Sequence, residues 1–409
     1  MKRVSTRRRA SLLRQSAVAA LATFAMTGMA SVAFAEDAPA AAGDAAATPT
    51  IDAKTLPQDL QDALKWLSGF QVAGLVDTSY NYNFNDPKGR VNNIHVFDSD
   101  ANAFHLDLAQ LKISRTVVEN LTGTVNLDFG ETAKILDAGT SGLGSPSYFG
   151  LEEAYIAYKF VPDWHGGITL TAGKFVTLYG AEVIEAPKNM NVSRGILFGW
   201  AIPFTHTGAY VSVPIVESKV NVDLGFANGW DNVDDNNGGK TFLGQVDLTL
   251  WDGNTINIGG TYGAEQAGQG DKRGLLDVIF TQTLGDSATL VLNFDYGSEE
   301  DVDFTQPDSS VLEKNADWTG FAGFFNYNFT DKLSGTFRGE VFRDDAGART
   351  GTKQTLWEIT LTGGYKIVDP LVVRAEYRHD GSGEKYFLDD KGDGTKSQDQ
   401  VAMELYLTF

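Results

Sequence analysis

The spacing between alternating segments is what most limits the folds open to this chain. From Gly69 onward, apolar and polar residues repeatedly alternate with a period of two, which places the two sets on opposite faces of a strand. In the first segment Phe70, Val72, Val76, Tyr80, Tyr82 and Phe84 face one way, and Gln71, Asp77, Ser79, Asn81 and Asn83 the other. Fifteen more segments follow, at 104–117, 121–129, 153–160, 168–177, 207–213, 219–227, 241–250, 255–262, 275–284, 288–296, 318–329, 333–344, 354–367, 371–380 and 397–409. Their connections alternate in length. Short turns fall near Glu119-Asn120, Pro162-Asp163, Val216-Glu217, Asp252-Gly253, Gly285-Asp286, Thr330-Asp331 and Asp369-Pro370. Between them lie long, polar, Gly- and Asp-rich stretches such as 85–100, 131–148 and 228–240. A soluble sandwich has no reason to alternate in this way, whereas a membrane barrel has short turns on one side and long loops on the other.

The amino terminus agrees with export. Lys2, Arg3, Arg7, Arg8, Arg9 and Arg14 precede an apolar stretch at 17–30, and Ala33-Phe34-Ala35 supplies a small-x-small cleavage site. Residues 1–35 therefore read as a signal peptide, a plain secretory signal rather than a twin-arginine one. After it, the longest uncharged run (195–216) contains Pro203, Pro214 and three glycines, so it is not a membrane helix. An integral protein of this kind must be a closed barrel, because lipid tolerates no unpaired sheet edge. The last strand fits such a closure: Val401, Met403, Leu405, Leu407 and Phe409 alternate with Ala402, Glu404, Tyr406 and Thr408. A carboxy-terminal Phe409 resembles the signal read by the outer-membrane barrel-assembly machinery.

The expected fold class is thus all-β: a transmembrane antiparallel β-barrel of sixteen strands at 69–409, with both termini periplasmic. Residues 36–55 form an Ala- and Pro-rich linker, and 56–68 a short amphipathic helix with Leu60, Ala63, Leu64 and Leu67 on one face, read as a periplasmic cap. Two irregularities are expected. Phe104, Leu106 and Leu108 have the opposite parity to Leu111 and Ile113, which predicts a bulge near Ala109-Gln110. Lys174 would face lipid unless a bulge falls at Gly173 or the residue stands at the rim.

Beyond residue 35 there are 27 basic residues against 53 acidic ones, which argues against a nucleic-acid partner. The five histidines show no HExxH spacing, and no GxSxG occurs, so nothing points to an enzyme. DDKGDG at 389–394 and DNVDDNNGGK at 231–240 resemble calcium loops only loosely, so no metal site and no cofactor are expected. Acidic loops could still bridge to lipopolysaccharide through divalent ions. Inward parity gathers Arg338, Glu340, Glu358, Arg374, Glu376, Arg378 and Glu404 on neighbouring strands as pore-lining candidates. They read either as a wall shaping a transverse field or as a salt-bridged, space-filling lumen. The loop at 178–201 carries Glu182, Glu185, Lys188 and Arg194 among apolar residues. These are the constriction-loop candidates if the loop folds inward; a surface loop is the other reading.

Several segments are similar to the OmpL-like β-barrel porins of bacterial outer membranes. They are Tyr80-Asn81-Tyr82-Asn83-Phe84-Asn85, GKFVTLYGAEVIEAP at 173–187, IPFTHTG at 202–208, NGWDN at 228–232, FRGEVFRDDAGARTG at 337–351 and VRAEYRHDGS at 373–382. The resemblance implies an outer-membrane, porin-like channel for passive diffusion of small polar solutes or ions, in contact with outer-membrane lipid and lipopolysaccharide. Analogy with other sixteen-stranded porins implies a homotrimer. A structural or adhesive barrel with a plugged lumen is the alternative.

Overall fold

A computed structural model describes residues 57–140, 147–305 and 311–409. The signal peptide and linker expected at 1–35 and 36–55 lie outside the described residues. The chain divides at Ser68–Gly69 into a helix-bearing segment and the barrel. In the first, α1 (Gln58–Leu67) begins just after Pro57, whose carbonyl accepts from Leu60 and Gln61 N–H at 3.0 and 3.1 Å. Proline suits that position because its missing N–H has no helical partner there.

The second unit is a closed barrel of sixteen antiparallel strands. In chain order they are β1 (Phe70–Asn83), β2 (Phe104–Val118), β3 (Leu121–Phe129), β4 (Phe149–Val161), β5 (Ile168–Val176), β6 (Thr205–Val216), β7 (Val220–Ala227) and β8 (Thr241–Leu248). There follow β9 (Asn254–Ala264), β10 (Lys272–Leu284), β11 (Ala288–Thr305), β12 (Val311–Asn328), β13 (Leu333–Asp344), β14 (Gln354–Val368) and β15 (Leu371–Ser382). A two-strand hairpin, β16 (Phe387–Leu388) and β17 (Gly394–Thr395), sits in the last long loop before β18 (Ser397–Thr408). Each barrel strand pairs with its sequence neighbour, and β18 closes on β1 from Leu75↔Thr408 to Asn83↔Gln400.

The burial pattern inverts that of a soluble domain. Outward Val76, Leu224, Phe321, Ile359 and Leu405 are exposed, while inward Asp77, Asp223, Glu358 and Glu404 are buried. The period of two sets this directly, with apolar side chains toward lipid and polar ones inside. At the seam, Phe409 N–H donates to Gly74 O at 2.9 Å and Gly74 N–H to Phe409 O at 2.7 Å. The Phe409 ring lies over Gly74, where a Cβ would come within 2.3 Å of it. The last residue is therefore part of the closure.

Three details differ from the sequence reading, and one of its two alternatives for Lys174 is settled. The β2 bulge falls at Asp107, between the pairs Asp77↔Leu108 and Thr78↔Leu106, so Leu108 turns inward and is fully buried. Of the two alternatives for Lys174, Gly173 causes no register shift and Lys174 instead stands at the loop end of β5, where Nζ donates to Leu151 O at 2.7 Å. Strands β11 and β12 run on to Thr305 and from Val311, well past the expected 288–296 and 318–329. That extension is polar (Glu299, Glu300, Asp301, Asp303) and lacks the apolar alternation that marks a membrane strand. Finally, the loop after β3 contains a helix, α2 (Glu131–Thr140), rather than irregular chain alone.

Candidate functional site

The third long connection, residues 177–204, runs inside the barrel. Tyr179 OH donates to Gly260 O at 2.8 Å and Ala181 N–H to Asn293 Oδ1 at 3.2 Å. Ile184, Ile196, Leu197, Phe198 and Ile202 then pack with inward Leu275, Ile279, Val291, Trp318 and Phe324 of β10–β12. Three of these loop residues, Ile196, Leu197 and Phe198, belong to a short helix, α3 (Ile196–Trp200), Ile202 follows it, and Trp318 Nε1–H donates to Ala201 O at 3.1 Å. Burial of such side chains is worth roughly 1.5–3 kcal/mol each, so the apolar half alone ties the loop firmly to the wall.

The polar half is held by the inward charges of β13, β14, β15 and β18. Arg338 donates to Glu358 at 2.9 Å, to Glu182 at 2.8 Å and to Ser193 O at 2.6 Å. Glu340 accepts the Ile196 N–H. Glu376 accepts Val192 N–H at 2.7 Å, Ser193 N–H at 3.0 Å and the Thr362 hydroxyl at 2.7 Å. Arg374 grips Glu404 through Nε and Nη2, the latter at 2.6 Å, and also donates to Asn189 O and Ala186 O at 2.8 and 2.9 Å. Arg378 donates to Asp380 at 2.7 Å and to Arg194 O at 2.7 Å. Inward parity thus brings all seven wall candidates together. None is more than 6 % exposed, because the loop covers them. Gly195 is needed in this contact: a Cβ there would lie 2.3 Å from Glu340 Oε1 and 2.7 Å from Glu182 Oε2.

Among the loop candidates, Glu182 and Arg194 are turned into the packing. Burial raises the Glu182 pKa, and the opposing pull of Arg338 does not fully offset it. Arg194 donates to Ile184 O through Nε at 3.0 Å and lies 4.7 Å over the Phe97 ring of the first loop. Glu185 and Lys188 form a pair at 2.6 Å on the open edge, with the Lys188 side chain 55 % exposed. Burial would raise the Glu185 pKa, but Lys188 outweighs it and the net shift is downward.

The other side of the barrel is uncovered. Inward Tyr155, Tyr210, Ser212, Asn221, Gln245, Asp247 and Asn257 on β4 and β6–β9 are all half-buried. Lys112 pairs with Glu153 at 2.8 Å beside them. These residues share the inward parity that marked the arginines, so the same rule, applied to shorter strands with fewer charges, could have found them.

Parity could not have found His95. It stands in the first long loop, with Nδ1 2.7 Å from Asp98 and Nε2 2.8 Å from Asp380 at the end of β15. Burial and the Arg378 guanidinium push its pKa down, but Asp98 and Asp380 prevail and raise it to about 9. A histidine whose folded pKa lies above its unfolded 6.5 stabilises fully below that value, and the contribution is lost as pH rises through about 9. Thermal unfolding midpoints should therefore fall between pH 6.5 and 9 in the parent, and less in His95→Gln. Parallel pH curves for the two proteins would show that this contact does not hold the loop.

A closed sixteen-stranded barrel with an apolar belt and an inward third loop defines the class of outer-membrane porins. The chain belongs to the family described as "Putative beta-barrel porin-2, OmpL-like", whose model matches residues 69–409. No curated protein matches. Solved structures with the same fold include the anion-selective porin from Comamonas acidovorans, with TM-score 0.57 and 11 % identity over 83 % of this chain and 99 % of that one. The outer membrane channel DcaP of Acinetobacter baumannii gives TM-score 0.55 and 11 % identity over 83 % and 97 %. The trimer form of OmpT, an outer membrane protein of Vibrio cholerae, gives TM-score 0.54 and 13 % identity over 83 % and 99 %. At these identities the likeness is one of fold. Family and fold together make the chain an outer-membrane channel for small solutes. Among the described residues, no group of three or more His, Asp or Glu side chains is placed to hold a metal ion.

Proposed function

We propose that small polar solutes and ions diffuse passively between the inward third loop and the inner faces of β4–β9. The arginine wall of β13–β15 then serves to anchor the loop, and permeation uses the opposite wall. The observation carrying this reading is the contrast in exposure: the arginines are sealed, while the polar residues across the barrel keep contact with solvent. Charges behind a packed loop shape the passage by fixing the loop, whereas charges on the open edge act on what passes.

In this reading the short turns and both ends of the barrel lie on the periplasmic side, as an even strand number requires, and the long acidic loops face outward, where divalent ions can bridge them to lipopolysaccharide. Phe409, through its contact with Gly74, is the residue offered to the barrel-assembly machinery. A homotrimer is the expected assembly, since a relative of this fold occurs in a trimer form. Planar-bilayer recording of the purified protein tests the central claim. Stable ohmic steps support it, and a folded barrel that never conducts leaves a plugged structural or adhesive barrel instead.

A further inference from the structure

We propose that the passage selects for cations, and that Asp223 and Asp247 set this selectivity. The inference rests on the channel reading above. Strands β6–β9 contain no Arg and no Lys, and the two aspartates are their only inward charges. Both carboxylates meet one neutral donor: Asn221 Nδ2 lies 3.0 Å from Asp223 Oδ2 and 3.4 Å from Asp247 Oδ2. The other partners are also neutral: Asp247 Oδ1 accepts from the Asn257 and Gln245 amides at 2.6 and 2.8 Å, and Asp223 has the Ser212 hydroxyl beside it. Neutral donors satisfy hydrogen bonds without cancelling charge, so two negative charges stay uncompensated in this wall, Asp247 half-buried on its open face and Asp223 buried beside it.

The nearest inward or loop lysines are neutralised by carboxylates. Lys112 is paired with Glu153 and Lys188 with Glu185. The inward base on the same row of the sheet is Lys159, joined through Thr169 and Ser212 to Asp223. Three strand spacings separate it from Asp223, roughly 14 Å at about 4.8 Å each. That exceeds the screening length of ~8 Å at physiological salt. Its side chain also bends over Gly167 in the turn. A solute crossing here therefore meets the half-buried Ser212, Asn221, Asp247 and Asn257, with the Asp223 carboxylate buried just behind them, and a net negative wall. That combination replaces part of a cation's hydration shell and repels anions.

The test is the reversal potential of single channels under a potassium chloride gradient, for the parent, for Asp223→Asn with Asp247→Asn, and for Asp223→Glu with Asp247→Glu. The parent should prefer potassium. The asparagine pair should lower the cation-to-anion permeability ratio by roughly three- to tenfold at low salt, and the difference should shrink toward 1 M. The glutamate pair should keep the parent preference. The half-exposed Asp247→Asn alone should give an intermediate shift, and it serves if the double variant does not assemble. An anion-preferring parent, or asparagine variants that conduct with an unchanged ratio, overturns the inference while leaving the channel reading intact. A folded parent that does not conduct overturns that reading itself.

Discussion

Arg338→Ala should lower the stability of the barrel by roughly 3–5 kcal/mol, the usual cost of removing one partner from a buried ion pair. Arg338 is 0 % exposed and faces Glu182, Glu340 and Glu358, so truncation leaves three carboxylates near one another without their shared cation. It also frees Ser193 O, which now accepts from Nη1. The third loop should lose its central anchor while Arg374, Arg378 and the apolar cluster still hold its flanks. Guanidinium unfolding in detergent would read the stability change, and single-channel recordings should become noisier as the loop moves. Arg338→Lys should restore little, because one ammonium cannot reproduce the fork that joins Glu358 to Glu182. An alanine variant with the parent unfolding midpoint would mean that these contacts carry no net stability.

Shortening the third loop between Glu182 and Arg194 should raise single-channel conductance roughly twofold or more, since the loop runs inside the barrel and packs on its inner wall. The barrel should still assemble. Its strand ladder is continuous without the loop, and Arg338, Arg374 and Arg378 keep Glu358, Glu404 and Asp380 as partners. Heat-modifiability on gels would confirm the closed barrel before conductance is compared. A correctly assembled, shortened protein with parental conductance would show that the passage is narrowed elsewhere. This variant and Arg338→Ala are complementary, because one removes the loop and the other its central fastening.

Much of this architecture is local information and can be read residue by residue. A period of two needs only a few neighbours to declare which face a side chain occupies, and the register of β13–β15 with β18 matches the parity of all seven wall residues. Turn and loop lengths carry the same kind of signal, which is why sixteen strands and a closed sheet could be expected from the chain alone. Bulges blur it by one or two positions, as at Asp107, and polar strand extensions such as 297–305 escape it.

Parity states that a side chain points inward; it does not state what the side chain meets there. The bond from Glu182 to Arg338 spans 156 positions and that from Ala186 O to Arg374 spans 188. Contacts so distant in sequence leave no periodic trace. Whether the arginines face water or a loop, and so whether they act as pore charges or as fastenings, is decided by where residues 177–204 come to rest. Buried apolar area and a lock of charge-assisted hydrogen bonds place that loop against β10–β15 and β18, with Tyr179 reaching β9, and they leave inward polar residues of β4 and β6–β9 only half-buried.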